Sequence, residues 1–257
     1  MDAVTSADGV TITYERSGSG PALVIVNGAL STRQTGAALA PLLDGDFTLY
    51  RYDRRGRGDS SDRDGSTPQN EVADLAAIVA VTGEAPFVFG QSSGAALSLE
   101  AAASGVPMRG LVVNEPPYVP GPGTTAETAS ELTALSADGR RDEAVERFMQ
   151  STGMSDAMIE QVQASPGWQP LLALAHTLAY DVRLLNDGVV PADRLSDIAC
   201  PVLCTTGSLS PPWAEAAVRA VAAAVQNGEW RVLEGQSHNI APDVLAAVLS
   251  ERLVPHS

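Results

Sequence analysis

Pro86-Phe87-Val88-Phe89-Gly90-Gln91-Ser92-Ser93-Gly94-Ala95-Ala96-Leu97-Ser98-Leu99-Glu100-Ala101-Ala102-Ala103 decides how this chain is read. An apolar, β-rich run meets a five-residue turn, and strong helix formers follow it at once. A strand that turns directly into a helix strains the middle residue, and bulky neighbours two positions away would collide with it, hence Gly90 and Gly94. The turn lifts the Ser92 hydroxyl off the sheet to the positive end of the following helix, where a developing anion is stabilised. As a bare pattern G-x-S-x-G is weak. Here the strand before it and the helix after it supply the context of a nucleophile elbow, against the plainer reading of a Gly/Ser loop.

Outward from this turn the chain alternates strands and helices. Asp8-Gly9 between residues 3–5 and 10–14 signals a hairpin, and 22–26 and 47–52 read as further strands. Residues 69–81 have the apolar spacing of an amphipathic helix, and 109–114 form a strand stopped by Pro116-Pro117. Such alternation implies a mostly parallel sheet covered on both faces, an α/β fold. The rhythm breaks between about 119 and 197, where helices are expected at 124–137, 140–152, 156–164 and 168–185. It resumes with strands at 201–206 and 229–233 and helices at 213–225 and 244–253. A core of residues 1–118 and 197–257 with a helical insertion at 119–196 is the economical division.

The 257 residues are 44% hydrophobic, enough for a substantial core, and carry a formal charge of −15. That charge repels nucleic acid and anionic membrane surfaces, and no stretch approaches the ~20 apolar residues of a membrane span. The N-terminus lacks the basic-then-apolar order of a secretion signal, so a cytoplasmic protein is expected. Cys200 and Cys204 lie four apart on one strand, more than ~12 Å from each other, too far for a disulfide, and no metal ligands surround them. They read as buried structural thiols.

Four motifs in order resemble the α/β-hydrolase superfamily: Val24-Ile25-Val26-Asn27-Gly28-Ala29, Tyr52-Asp53-Arg54-Arg55-Gly56-Arg57-Gly58-Asp59-Ser60, the Gly90 to Gly94 turn, and Gly235-Gln236-Ser237-His238. The resemblance implies the α/β-hydrolase fold, an oxyanion hole after the first of these strands, and a helical cap over the active site.

Ser92 needs a base, because its hydroxyl is protonated at neutral pH. Of three histidines, His256 lies in the terminal tail and His176 within an expected helix of the insertion. His238 follows the strand at 230–233 and would arrive at the same sheet edge as Ser92. The acid departs from the family's commonest pattern, since Ser210 stands where an Asp is expected. Glu115, after the strand at 111–114 and ahead of two prolines, is the leading candidate, as some superfamily members carry the acid after that strand. Its plainer reading is an acceptor of backbone hydrogen bonds at the entrance to the insertion. Asp181 is an outside candidate, and Asp243 is expected to cap the last helix.

The main-chain N–H groups of Ala29 and Ser93 are the expected oxyanion donors. Asn27 replaces the His that the family commonly has there, and supports the loop or donates into the pocket. Asp53, Arg54 and Arg55 read as braces between loops rather than catalytic charges. Asn27, Gln91, Tyr118, Trp168, His176 and Tyr180 are candidate pocket residues, joined by Leu171 and Leu172, though helical spacing equally makes several of these the insertion's own core.

Three functions follow in order of preference. The first is a cofactor-independent, metal-free serine hydrolase acting on a small, largely uncharged ester, thioester or lactone. The second is a non-hydrolytic cyclisation, elimination or C–C cleavage in the same pocket. The third is a small-molecule receptor. A small-molecule substrate is the expected partner, with a homodimer the one protein association considered.

Overall fold

The chain opens with the hairpin centred on Asp8-Gly9: strand β1 (Asp2–Thr5) pairs antiparallel with β2 (Thr11–Gly18), Asp2 opposite Tyr14. This is a computed structural model in which residues 1–254 are described; His256 lies outside the described residues. β3 (Ala22–Val26), β4 (Thr48–Tyr52), β5 (Phe87–Gln91), β6 (Gly110–Asn114), β7 (Val202–Gly207) and β8 (Gly228–Leu233) complete an eight-stranded sheet. Its order is β1-β2-β4-β3-β5-β6-β7-β8, with β3 to β8 parallel and β2 antiparallel to both neighbours. The expected α/β fold is therefore the one formed.

Both faces of the sheet are covered, and the strand period of two divides their side chains. Val24 and Val26 join Val88, Leu111 and Val113 on one face, beneath α2 (Pro68–Thr82), α3 (Ser93–Ala103), α9 (Ala192–Leu195) and α10 (Pro212–Ala224). Leu23, Ile25, Phe89 and Val112 point the other way, against α1 (Ala40–Leu43) and α11 (Pro242–Leu253). Local chemistry sets the helix ends: α2 starts at a Thr67–Asn70 capping box with Pro68 in the first turn and stops at Gly83 in the left-handed region. α11 begins after Ala241, so Asp243 lies in its first turn rather than at its cap.

Between β6 and β7 come α4 (Ala126–Ala137), α5 (Arg141–Ser151), α6 (Asp156–Gln163), α7 (Trp168–Ala173) and α8 (Leu178–Arg183). They share a separate apolar cluster that includes Leu132, Val145, Ile159, Leu178 and Val182, with Ala29 and Leu30 packed against it. The single helix expected over 168–185 is broken. Residues Ala175–Thr177 tighten into a 3-10 turn, and the Thr177 hydroxyl donates to the Leu174 carbonyl at 2.8 Å, competing with the helical ladder. Farther along, Leu184, Leu185 and Leu195 leave this cluster for the sheet-side core, where Tyr118 also sits.

Candidate active site

Parallel strands end at one edge, and that edge collects the polar residues of this protein. The register sets Gln91 beside Asn114 and Asn114 beside Thr205, so the next residues, Ser92 and Glu115, emerge on neighbouring strands. The Ser92 N–H donates to Asn114 O at 2.9 Å and the Glu115 N–H to Thr205 O at 3.1 Å. Both residues have φ in the left-handed region, +55° for Ser92 and +46° for Glu115; strand and helix flank the first, and a strand and Pro116-Pro117 flank the second.

Ser92 is the N-cap of α3, yet its hydroxyl makes no capping bond. A serine at this position ordinarily spends its oxygen on the first-turn N–H groups. The conformation (φ +55°, ψ −123°) turns it away instead. The turn is so tight that a Cβ on Gly94 would fall onto the Val26 carbonyl, and one on Gly90 would come 2.7 Å from Ala95 Cα. A Cβ on Gly28 would lie 3.0 Å from both Ser92 Cβ and Gln91 O, which puts the loop after β3 directly against the turn. Neither Ala29 nor Ser93 spends its main-chain N–H in a hydrogen bond among the described residues.

His238 Nδ1 lies 2.6 Å from Glu115 Oε2. The other carboxylate oxygen, Oε1, accepts from Thr206 Oγ1 and from the Gly207 N–H, each at 2.9 Å. Glu115 is fully buried, which by itself raises its pKa, but the bonds from His238 and the Gly207 N–H, with the Ser210 hydroxyl close by, outweigh burial and bring it down to about 2. Ser210, which stands where the family resemblance puts an Asp, sits close enough to this carboxylate to help hold it charged, without the geometry of a full hydrogen bond. Gln91 Nε2 (2.8 Å) and Asn114 Nδ2 (3.2 Å) both donate to His238 O and tie the histidine's loop to the turn. The hydroxyl of Ser92 and the ring of His238 share this edge, but no direct hydrogen bond joins them among the described residues.

Asp181 is not the histidine's partner. It is buried against two guanidinium groups, Arg54 Nη1 at 2.8 Å and Arg57 Nη2 at 2.9 Å, and accepts the Ser93 hydroxyl at 2.6 Å. Burial alone would raise its pKa; Arg57 and Arg54 more than offset that and hold it below the usual carboxylate range. The neighbouring charges are likewise paired: Arg54 with Glu71, Arg55 with Asp74 and Asp8, and Asp53 with Arg33.

The candidate pocket residues scatter. Asn27 turns its amide to Thr32 O at 3.0 Å and braces its own loop. Gln91 holds the histidine's loop. Tyr118 does not line a pocket; its ring is buried in the sheet-side core, drawn there by apolar contact with that cluster. Trp168, Leu171 and Leu172 pack against the helical segment's own cluster. His176 Nε2 lies 3.6 Å from Asp62 Oδ2, to which the Tyr180 hydroxyl donates at 3.1 Å, so these two face the β4–α2 loop. Sequence reading missed Asn114 and Arg57. A polar residue ending the apolar run Leu111-Val112-Val113 was the available signal for the first; the second lies within the Tyr52 to Ser60 motif, in which only Asp53, Arg54 and Arg55 were weighed.

Cys204 is buried on β7, which pushes its thiol up to about 12, and Cys200 is half-buried; both are unbridged. Among the described residues no group of three His, Cys, Asp or Glu side chains is arranged to hold a metal ion, and no helix is long and apolar enough to cross a membrane.

Comparison with known proteins agrees with the fold. An alpha/beta hydrolase from Sphaerobacter thermophilus is 45% identical, with a TM-score of 0.91 over 97% of this chain and 99% of that one. A thermophilic esterase from Thermogutta terrifontis shares the fold at 20% identity, with a TM-score of 0.76 over 98% of this chain and 97% of that one. N-formylmaleamate deformylase of Pseudomonas putida is 39% identical over 127 residues, a match that spans 47% of each chain and so about half the length of that curated relative. The model of the alpha/beta hydrolase family matches residues 23–248, and with the sheet order and the strained turn at Ser92 it makes this chain a member of that family.

Proposed function

We propose that the protein is a cofactor-independent serine hydrolase of the esterase, thioesterase or lactonase type, with Ser92 as nucleophile, His238 as base and Glu115 as acid. The observation that carries this reading is the 2.6 Å contact between Glu115 Oε2 and His238 Nδ1 at the strand edge that also bears Ser92. The carboxylate keeps the proton on Nδ1, which leaves Nε2 free to act as base. Ser92 Oγ attacks the substrate carbonyl while its proton passes to Nε2. The oxyanion that forms is met by the N–H groups of Ala29 and Ser93, both unspent in the resting protein. His238 then protonates the leaving group; water, deprotonated by the same nitrogen, attacks the acyl-enzyme and releases the acid. The absent Ser92–His238 bond belongs to the resting state, since such bonds often close only with substrate bound.

The helical segment at 119–196 acts as the cap. Its cluster meets Ala29 and Leu30, so apolar side chains reach the oxyanion loop, which favours a small, largely uncharged substrate. The likeness to N-formylmaleamate deformylase favours adding formyl amides to the bond types to be tested.

A fluorophosphonate probe tests the reading. Labelling of the folded protein at Ser92, abolished in Ser92→Ala together with turnover of p-nitrophenyl esters, is the expected result. An unlabelled wild type, or turnover retained in Ser92→Ala, refutes it and favours the non-covalent chemistry.

A further inference from the structure

The peptide between Gly28 and Ala29 is held from behind. Its carbonyl oxygen accepts from Arg57 Nη1 at 2.6 Å, and the same guanidinium reaches both oxygens of Asp181 through Nη2 at 2.9 Å. A trans peptide is planar, with C=O and N–H pointing in opposite directions. Fixing the Gly28 carbonyl therefore aims the Ala29 N–H, and a hydrogen bond to the carbonyl also polarises that N–H as a donor. The other half of the oxyanion site is tied to the same carboxylate, because Ser93 Oγ donates to Asp181 Oδ1 at 2.6 Å. Arg54 Nη1 closes the ring, at 2.8 Å from Asp181 Oδ1, 3.2 Å from Ser93 Oγ and 3.3 Å from Asn27 O.

All of these side chains are nearly or fully buried, Arg57 and Asp181 at 1% exposure each, so the bonds are not diluted by solvent. Asp181 stands on α8, in the helical segment, whereas its three partners stand on the β4–α2 loop and on α3. We infer that Arg57 and Asp181 are positioning residues for acyl transfer: Asp181 orients Arg57, Arg57 orients the Gly28–Ala29 peptide, and the oxyanion site is thereby assembled only with the helical segment seated. This rests on the serine-hydrolase reading above. A buried ion cluster that merely held two parts of the protein together would have no need to end on the carbonyl of that one peptide.

The test separates alignment from stability. For wild type, Arg57→Lys, Arg57→Met and Ser93→Ala, one measures kcat and KM on the best ester, inhibition by the matching trifluoromethyl ketone, and the melting temperature. The ketone forms a tetrahedral oxyanion on the serine, so its affinity reports the donors directly. The Arg57 variants should lose about 10²-fold in kcat and a similar factor in ketone affinity, with KM changed by less than about threefold. Ser93→Ala leaves every charge paired and is expected to fold even if the Arg57 variants do not; it should lose about tenfold in both kcat and ketone affinity. A lower melting temperature with kcat and ketone affinity unchanged in the folded variants overturns the inference. A wild type that neither reacts with fluorophosphonate nor binds the ketone overturns the serine-hydrolase reading instead, and this inference with it.

Discussion

Glu115 and His238, 123 residues apart in the chain, meet at 2.6 Å between the carboxylate and the inner ring nitrogen. Because Ser210 lies near that same carboxylate, the proposed acid has two addresses within reach of one histidine: the end of β6, where Glu115 stands, and the loop after β7, where Ser210 stands. Glu115→Gln should keep the shape and lose the charge, dropping kcat by about 10³- to 10⁴-fold with KM little changed. In the Glu115→Ala background, Ser210→Asp should restore at least tenfold of the lost kcat. Steady-state kinetics on one ester decide both; near-normal turnover in Glu115→Gln would remove this residue from the mechanism.

The same carboxylate makes stability depend on acid. Its pKa falls from 4.5 to about 2 on folding, so the folded state is favoured fully above pH 4.5 and loses that advantage as pH drops toward 2. The contribution at neutral pH is on the order of 3 kcal/mol. Urea melts of wild type and Glu115→Gln between pH 2 and 7 should show the two curves converging as pH falls. Parallel curves across that window would contradict the assignment.

Gly28 touches the turn so closely that a methyl group there would press on Ser92 Cβ and Gln91 O, both at 3.0 Å. Gly28→Ala should therefore displace Ser92, the proposed nucleophile, by a few tenths of an ångström and lower kcat/KM by about 10²-fold. Its stability cost should stay near 1–3 kcal/mol, since only one loop has to shift. A variant with wild-type kinetics would show that the serine tolerates this movement.

Arg55 is 1% exposed and binds Asp74 through Nε (2.7 Å) and Nη2 (2.8 Å). Burial nonetheless keeps the Asp74 carboxyl above its usual pKa, the mark of an ion pair that compensates its desolvation only in part. Arg55→Met should cost about 3–5 kcal/mol by stranding Asp74, and adding Asp74→Leu should recover part of the loss. Denaturant melts of the two variants measure it; a double variant less stable than Arg55→Met would refute this account.

Much of the fold was legible because it is written in neighbouring residues. An apolar, β-rich run, a glycine where a side chain would collide and the apolar spacing of a helix act over a few positions, and β3, α2, β5 and β6 formed within two residues of where they were expected. Strand-helix alternation then left a parallel sheet as the only economical arrangement, and with it a shared edge for residues that follow strands. The break at 175–177 was illegible because its cause is not composition: one hydroxyl bends back on the chain, and packing keeps Asp181 buried beyond it. That Glu115 rather than Asp181 meets His238 was anticipated from its place after the strand at 111–114 and from the resemblance, but the contact itself and the surroundings of Asp181 were beyond local reading. The folded chain sorts the two acids by surrounding Asp181 with two buried guanidinium groups and Glu115 with an imidazole, a hydroxyl and a main-chain N–H. Coulombic partners are chosen by distance in space, and distance in sequence carries almost no information about them.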